Sequence, residues 1–252
     1  RREDPDDEQY ELIESALKKL FHAREQRTRP TTDKKHIVSW NAIMLKGFID
    51  AFRATGNSHY LDSARKSAVF LKENAVLSYG NVLHSFIDDA KPVKGFLEDY
   101  AFLASAFTAM YEVTFEKIWL DTAGKILHRA LEIFHDKVTG LFFFTAEDSD
   151  NKIARKHEIT DHVIPSSNSE LGIALLKAGT LLDDKDLLLA AKNIAAHSSE
   201  LLAADTYYYS NWAMLYALNR YGINEVAIMG EQAISKSRSM MQKYHPDYLY
   251  AG

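Results

Sequence analysis

Residues 96–113 read FLEDYAFLASAFTAMYEV, and this stretch decides the fold. After Glu98 and Asp99 it is apolar on almost every side, as are residues 40–54 and 171–182. A helix without a polar face must be covered by other parts of the protein on several sides. The apolar run 101–110 is too short to span a bilayer, which takes about 20 residues. We therefore predict three helices that are buried inside a globular domain.

A helix of a different kind follows each buried one. Between residues 120 and 134 the apolar positions are three and four apart, and charged residues lie between them. This spacing is typical of a surface helix with a single apolar stripe. Residues 61–71 and 188–195 show the same pattern. Each buried helix is thus expected to form a hairpin with the amphipathic helix that covers it.

The alternation of the two helix types is an internal repeat. Polar markers near the start of the buried helices, Asn41, Asp99 and Asn168, are 58 and 69 residues apart. Alanine markers in the amphipathic helices are 59 and 68 residues apart, at Ala64, Ala123 and Ala191. Repeated helix pairs bury a continuous core only by stacking on their neighbours. The predicted fold class is all-α, with inner helices covered by outer ones.

The polar motifs stand where the inner helices begin, so the hairpin repeat would place them at one rim of the domain. A concave pocket would form there. Free N–H groups and the positive ends of the helix dipoles would point towards it. Such a rim favours anionic or hydroxyl-rich ligands.

Two regions depart from the helical pattern. Residues 140–145 and 152–157 predict a small β-hairpin across a turn at 148–151. Near the C-terminus, residues 225–230 predict a strand, a helix follows to about Lys243, and residues 248–250 predict a second strand. We therefore divide the chain into a helical-hairpin domain, 1–222, and a strand–helix–strand appendage packed on it, 223–252.

Composition excludes several classes of protein. The net charge is −5, and the 30 basic and 35 acidic residues are well mixed, so the sequence has no basic stripe that would indicate nucleic-acid binding. It also has no apolar run long enough to indicate a membrane-spanning helix. The absence of cysteine excludes disulfides, thiolate nucleophiles and cysteine metal sites, and it favours a cytoplasmic location. Residues 1–8 are a charged lead-in without an apolar segment, and the last residues follow a predicted strand directly, so we expect a fragment of a larger protein.

Four motifs in a fixed order carry a family resemblance. They are RTRPTTDKK at 27–35 with SWN at 39–41, GFLEDYA at 95–101, DHVIPSSN at 161–168 and EVAIMG at 225–230. Together they resemble the C-terminal part of the spermatogenesis-associated, thioredoxin-domain-containing protein family. The resemblance implies an (α/α) toroid of the six-hairpin type, similar to N-acylglucosamine 2-epimerases and six-hairpin glycosidases, which follows a thioredoxin-like domain in the family.

The chain departs from that family in three ways. We expect the thioredoxin-like domain to be absent, and because the sequence has no cysteine, no redox role is carried over. The first toroid hairpins are also expected to be absent, and a partial toroid would either dimerise or close up into a distorted bundle. Finally, Ser167 stands where the family has glycine; if that position needs a positive φ, serine strains the loop.

The candidate catalytic residues are Glu98, Asp99 and Asp161. Glu98 and Asp99 lie in the first turn of a buried helix, where they could act as acid and base or merely complement the helix dipole. Adjacent helical side chains point about 100° apart, so only one of the two can face a central pocket. Asp161 could serve a ligand with the residues after it, or cap a helix. Nothing here resembles the nucleophile elbow that a Ser–His–Asp triad would need.

The candidate substrate-binding residues fall into two groups. Asp33, Lys34, Trp40 and Asn41 offer charges, an aromatic platform and an amide, as a sugar site does; alternatively, Asp33 pairs with a nearby arginine and Trp40 is a core residue. The second group comprises Tyr100, His162, Ser166 and Asn168. Four histidines are candidate acid–base groups: His36, His84, His157 and His162. No pattern of metal-ligand spacing is present, so we expect neither a metal nor another cofactor.

The sequence leaves open whether the chain is an enzyme. One interpretation is a carbohydrate-processing toroid, either an epimerase or isomerase or a glycosidase, which acts on a sugar-like small molecule. A glycosidase would need two carboxylates about 5–10 Å apart across the pocket. The other interpretation is a non-catalytic scaffold or binding module for a partner or for the thioredoxin-like domain. Separately, a partial toroid that does not close up is expected to form a homodimer.

Overall fold

The computed structural model describes residues 6–87, 91–147 and 154–252, in two compact units that divide between Lys34 and Lys35. The first unit contains helix α1 (Asp7–Glu25). Its start is closed by a capping box, in which Asp6 accepts from the backbone of Gln9 and the Gln9 side chain accepts from Asp6 N–H. No residue of α1 is buried.

The second unit consists mainly of helix hairpins. In chain order its first elements are β1 (His36–Ile37), α2 (Val38–Thr55), α3 (Ser58–Ala75), β2 (Leu83–Phe86), β3 (Val93–Lys94), α4 (Leu97–Thr114) and α5 (Lys117–Phe134). These are followed by α6 (Ser167–Leu182), α7 (Lys185–Ala195), α8 (Ser198–Ala204), α9 (Ser210–Tyr221), β4 (Asn224–Ala227), α10 (Ala233–Met241) and β5 (Tyr248–Ala251). Short 3₁₀ turns lie at Ser78–Gly80 and Tyr207–Tyr209.

Three hairpins confirm the predicted repeat: α2 with α3, α4 with α5, and α6 with α7. The first helix of each pair also packs on the first helix of the next pair, and α6 packs on α9, so α2, α4, α6 and α9 are the inner helices. Every residue of α4 except Glu98 is buried. Residues 96–113 are apolar on almost every side because α4 is packed against other parts of the protein on every side.

Each hairpin turns through a residue with left-handed backbone at the end of its inner helix. These residues are Gly56 with φ of 69°, Phe115 with φ of 56° and Asp183 with φ of 51°. The N–H of each bonds back to a carbonyl in the last turn of its helix, which is a common way for a helix to end. Only the first uses glycine, so the other two turns carry some backbone strain.

The strands are few and short. β1, β2 and β3 form an antiparallel sheet beside the starts of α2 and α4, and the sequence did not predict it. At the C-terminus β4 and β5 pair in parallel around α10, which confirms the predicted strand–helix–strand. β5 lies on α4, where Tyr250 N–H donates to the Glu112 carboxylate at 3.3 Å. The proposed division of the chain after residue 222 stays a prediction.

The predicted β-hairpin needs a correction. Its two segments do meet, because Phe143 pairs with His157 and Phe144 N–H donates to Lys156 O at 2.8 Å. Within their described residues this is an isolated bridge rather than two regular strands, since Phe142 pairs instead with His135. The predicted turn lies outside the described residues. Within the described part of the chain, no helix has both the length and the apolar character that crossing a membrane requires.

Candidate functional site

The carboxylate of Asp99 holds the starts of two inner helices together. The residues that precede α2 and α4 are Ile37 and Phe96, whose side chains cannot accept a hydrogen bond. Asp99 takes over this role, because Oδ1 accepts from Ser39 N–H at 3.0 Å and Oδ2 from Phe96 N–H at 2.9 Å. Helix N-termini leave such N–H groups without intrahelical partners. Asp99 is fully buried, so it serves as a cap for both helices.

His84, on β2, is the third partner of Asp99. Its Nδ1 lies 3.0 Å from Asp99 Oδ2 and 3.8 Å from Glu98 Oε1, and its ring packs edge-on against Phe96. The hydrogen bond to Asp99 is the main reason that the pKa of His84 lies above its ordinary value. Since Nδ1 faces Asp99, the other ring nitrogen, Nε2, is left to meet a ligand. The side chain is 24% exposed, so a ligand can reach it.

Glu98 stands beside this pair but remains partly exposed. Its carboxylate accepts from Ser39 Oγ at 3.4 Å. Burial is the largest reason that the pKa of Glu98 lies above the ordinary value, and the negative charges of Asp99 and Glu158 add to it. A carboxyl with a raised pKa next to a histidine with a raised pKa is an arrangement suited to proton transfer.

Glu158 links the start of α6 to this group by hydrogen bonds to two residues of α6. Its carboxylate accepts from Ser167 N–H at 3.0 Å, and its carbonyl accepts from Asn168 Nδ2 at 2.9 Å. Its charge is close enough to raise the pKa of Glu98. Sequence reasoning missed Glu158 because it lies in an irregular segment with no periodic signal.

The carboxylate of Asp161 caps α6 and α9 in the same way that the carboxylate of Asp99 caps α2 and α4. Oδ1 accepts from Ser166 N–H at 2.8 Å and from Ser169 Oγ at 3.1 Å, and Oδ2 accepts from Asn211 N–H at 2.8 Å. Asp161 is buried, and both of its oxygens are occupied. Its geometry is therefore that of a double helix cap, and it does not join the group around Glu98.

Several predicted ligand-binding residues have structural partners instead. Asn168 is fully buried and bonds to both the N–H and the carbonyl of Phe142, at 2.8 and 2.9 Å. Tyr100 is a core residue whose hydroxyl accepts from Val82 N–H at 3.0 Å. Ser166 caps α6 by accepting from Ser169 N–H. These contacts stabilise the loops that lead into the inner helices.

The remaining predicted residues come from different parts of the chain. Asp33 and Lys34 lie in the N-terminal unit, whereas Trp40 and Asn41 lie in the first turn of α2. Trp40 is 63% exposed, so its interpretation as a core residue is wrong. Asn41 donates to Ile37 O at 2.7 Å. His162 is exposed on the loop before α6.

Ser167 shows no strain. It is the first residue of α6, and it is not among the described residues with positive φ, so the left-handed backbone considered for this position is absent. Its hydroxyl is buried without a hydrogen-bond partner in the described part of the chain.

A cavity of about 230 Å³ lies deeper, between the four inner helices. None of the site residues predicted from the sequence lines it. Its charged lining residues are Lys46, Arg53, Glu112, Glu170 and Lys177. They lie on α2, α4 and α6, helices that are mostly apolar, and the hydrophobic pattern did not single them out.

One group among the described residues has the chemistry to hold a metal ion. Candidate ligand atoms of His84, Glu98 and Asp99 all lie within 4.8 Å of one another. Asp99 already accepts from two backbone N–H groups and faces the histidine, so hydrogen bonds alone account for the arrangement. The expectation that no metal binds stays a prediction.

Relatives of known sequence support the resemblance that the motifs indicated. No protein-family model matches the chain. Spermatogenesis-associated protein 20 of Homo sapiens is 25% identical over 248 residues, and that of Rattus norvegicus is 26% identical over 248 residues. Each alignment covers 94% of this chain but only 32% and 31% of those relatives. The chain thus spans about a third of their length.

Solved structures confirm the fold class. The chain is similar to a cellobiose 2-epimerase from Bacillus thermoamylovorans, with a TM-score of 0.55 and 17% identity over 67% of this chain and 45% of that one. It is also similar to a GH76 alpha-mannanase from Bacteroides thetaiotaomicron, with a TM-score of 0.54 and 16% identity over 85% of this chain and 70% of that one. Both are (α/α) toroids, and at this identity the likeness concerns the fold.

Proposed function

We propose that the chain binds a sugar at the rim where α2 and α4 begin and moves a proton on it, with Glu98 and His84 as the acid–base pair. The observation that carries this proposal is the buried carboxylate of Asp99, 3.0 Å from Nδ1 of a partly exposed histidine, with Glu98 beside them. The toroid fold supports a sugar as substrate, because the similar structures are a sugar epimerase and a glycosidase.

The roles follow from the two raised pKa values. The raised pKa of His84 stabilises its protonated form relative to an ordinary histidine, and the Nε2–H of that form can donate to a substrate carbonyl oxygen. The raised pKa of Glu98 makes its carboxylate a stronger base than an ordinary glutamate. Glu98 would take a proton from the carbon next to that carbonyl and return it, as an epimerase or isomerase does. Asp99 keeps the imidazole in place.

Hydrolysis of a glycosidic bond fits the same residues less well. It needs two available carboxylates on opposite sides of the bond. Asp99 and Asp161 are buried with both oxygens occupied by helix caps. The other carboxylate near Glu98 is Glu158, which accepts from Ser167 N–H. This arrangement favours proton transfer over glycosidase chemistry.

Trp40 supplies an aromatic surface near the same helix start. It follows Ser39, which touches both Glu98 and Asp99, and its indole is largely exposed. Exposed aromatic rings can cover the apolar face of a sugar while polar groups bind its hydroxyls. We include Trp40 in the proposed substrate site on this basis.

Deuterium wash-in tests this function. The full chain is incubated in D₂O with cellobiose and with simple aldoses and ketoses, and NMR follows loss of the signal from the proton on the carbon next to the carbonyl, which is C2 in an aldose and C1 or C3 in a 2-ketose. We expect exchange that falls about 10²–10⁴-fold in Glu98→Gln, the usual contribution of an acid–base group. Glu73→Gln, an exposed change on α3, is the matched control and should exchange like the parent chain. Absence of exchange in every sugar, or full exchange in Glu98→Gln, contradicts the assignment.

A specific observation also favours the scaffold function. Two inner helices expose apolar side chains to solvent, with Met44 58% exposed on α2, and Met214 55% and Tyr221 83% exposed on α9. Exposed apolar faces of this kind often mark protein interfaces. We propose that they join two copies of the chain. Light scattering after size exclusion should then show a dimer that Met44→Lys and Met214→Lys weaken, and a monomer at all concentrations would refute it.

A further inference from the structure

The cavity between the inner helices contains an amine that the rim site does not use. Lys177, on α6, lines this cavity of about 230 Å³ and also a neighbouring cavity of about 490 Å³. Ile43, Phe102 and Ile173 give the smaller cavity apolar walls, and the larger one reaches the C-terminal segment 241–250. The side chain of Lys177 therefore borders a space that is large enough for a small molecule.

The other two basic residues that line the smaller cavity are held in ion pairs. Lys46 Nζ lies 3.0 Å from Asp50 Oδ2, and Arg53 Nη1 lies 3.6 Å from Asp50 Oδ1. Arg53 Nη2 also lies 2.9 Å from Glu112 Oε2. Both cations of α2 are thus matched by carboxylates of α2 and α4, so the charges on this side of the cavity are balanced.

Lys177 has no partner of this kind. Among the described residues, no carboxylate lies within ion-pair distance of its Nζ, and no group accepts a hydrogen bond from it. Glu112 is already paired with Arg53. Glu170 accepts from the side-chain amide of Asn211 at 3.3 Å. No direct contact within the described part of the chain therefore holds this amine in its protonated form, in which it cannot act as a nucleophile.

Burial and neighbouring cations both favour the neutral amine. Burial is the main reason that the pKa of Lys177 lies below its ordinary value, and the charges of Arg53 and Lys46 lower it further. Glu112 and Glu170 act in the opposite direction without cancelling the shift. A lysine that is desolvated or lies near another cation is activated as a nucleophile, because only the neutral amine has a lone pair that can attack a carbonyl carbon.

We propose that Lys177 is a nucleophilic site that captures a small aldehyde in this cavity as an imine. The amine lone pair forms the C–N bond while the carbonyl π pair moves to oxygen, and one N–H proton transfers to that oxygen to give a carbinolamine. The C–O bond then breaks, the oxygen leaves as water with the second N–H proton, and the C=N bond forms. The apolar walls suit a short hydrocarbon body. This site shares no residue with Glu98 and His84, so it does not depend on the proton transfer proposed at the rim.

Reductive trapping tests this reactivity. The folded full chain is treated near pH 7 with propanal and sodium cyanoborohydride, which reduces each imine to a stable secondary amine, and peptide mass spectrometry gives the labelling rate of each lysine. We expect Lys177 to label at least about 10-fold faster than the exposed Lys185, because each unit by which a pKa is lowered gives about ten times more free amine. In urea the two rates should become equal, since unfolding removes the burial. Equal rates in the folded chain, or a Lys177 that does not label, overturns the proposal.

A substitution checks the identity of the amine. Lys177→Arg keeps a positive charge but offers no nucleophilic amine, so the chain should take up one propyl group fewer in the fast phase of labelling, as measured by intact mass. Lys185→Met, at the exposed start of α7, is the matched control, and its fast phase should equal that of the parent chain. Urea denaturation shows whether both variants are folded, and the comparison of rates within the parent chain holds without them. An unchanged fast phase in a folded Lys177→Arg chain would place the reactive amine elsewhere, and the assignment would fall.

Discussion

Replacing Asp99 with asparagine should destabilise the chain far more than replacing its neighbour Glu98. In Asp99→Asn one oxygen becomes an NH₂ group, so either Ser39 N–H or Phe96 N–H faces a donor instead of an acceptor. A buried donor without a partner costs about 1–3 kcal/mol. Loss of the negative charge at two helix N-termini adds about 0.3–1 kcal/mol for each helix. We expect the free energy of unfolding to fall by about 2–5 kcal/mol.

Urea denaturation at neutral pH measures this difference. Glu98→Gln should change the free energy of unfolding by less than about 1 kcal/mol, because Glu98 is partly exposed and keeps only a long bond to Ser39. Asp121→Asn on α5, whose side chain is 39% exposed, controls for the general effect of removing an aspartate. If Asp99→Asn proves no more destabilising than these two variants, the double-cap interpretation is refuted.

The same substitution should alter the response to pH. The folded chain raises the pKa of His84, so this group contributes stability that is present below its ordinary value of about 6.5 and is lost as pH rises through the folded value. Without the carboxylate of Asp99, burial would instead lower the pKa of His84. NMR titration of the His84 ring should therefore shift to lower pH in Asp99→Asn, and an unchanged titration would show that Asp99 does not control the histidine.

Three further outcomes are expected. Because the pKa of Glu98 is raised on folding, stability should fall as pH rises from about 4.5 through the folded value, and Glu98→Gln should lose that part of the urea-midpoint profile; an identical profile would contradict the shift. Asn168→Ala leaves the N–H and carbonyl of Phe142 without their partner, so the free energy of unfolding should drop by about 2–4 kcal/mol in urea, whereas the exposed Asn74→Ala should change it little. Micromolar Zn²⁺ should leave Tm unchanged because Asp99 is already engaged, and a rise in Tm that His84→Gln abolishes would establish a metal site instead.

Hydrophobic pattern was enough to predict the helix hairpins. The periodicity of α5 and the all-round apolar character of α4 are local properties, because a helix repeats every 3.6 residues wherever it lies. The sheet β1–β2–β3 escaped prediction, since its strands are two to four residues long and have no period to detect. The predicted hairpin at 140–157 forms a single bridge between its two segments in the described part. The reason is that Phe142 pairs with His135 and donates its N–H to Asn168.

The sequence by itself determined which helices are buried, their order in the repeat, and that only one of Glu98 and Asp99 can face a central pocket. Tertiary structure alone decided that Glu98 is the exposed one, that His84 on a separate strand completes the group, and that Asp161 is a second double cap. It also decided that Arg53, Glu112 and Lys177 meet in one cavity. The reason is physical: helix formation and amphipathicity depend on neighbours along the chain, whereas the pKa and the partners of a carboxylate depend on groups that folding brings together from distant positions.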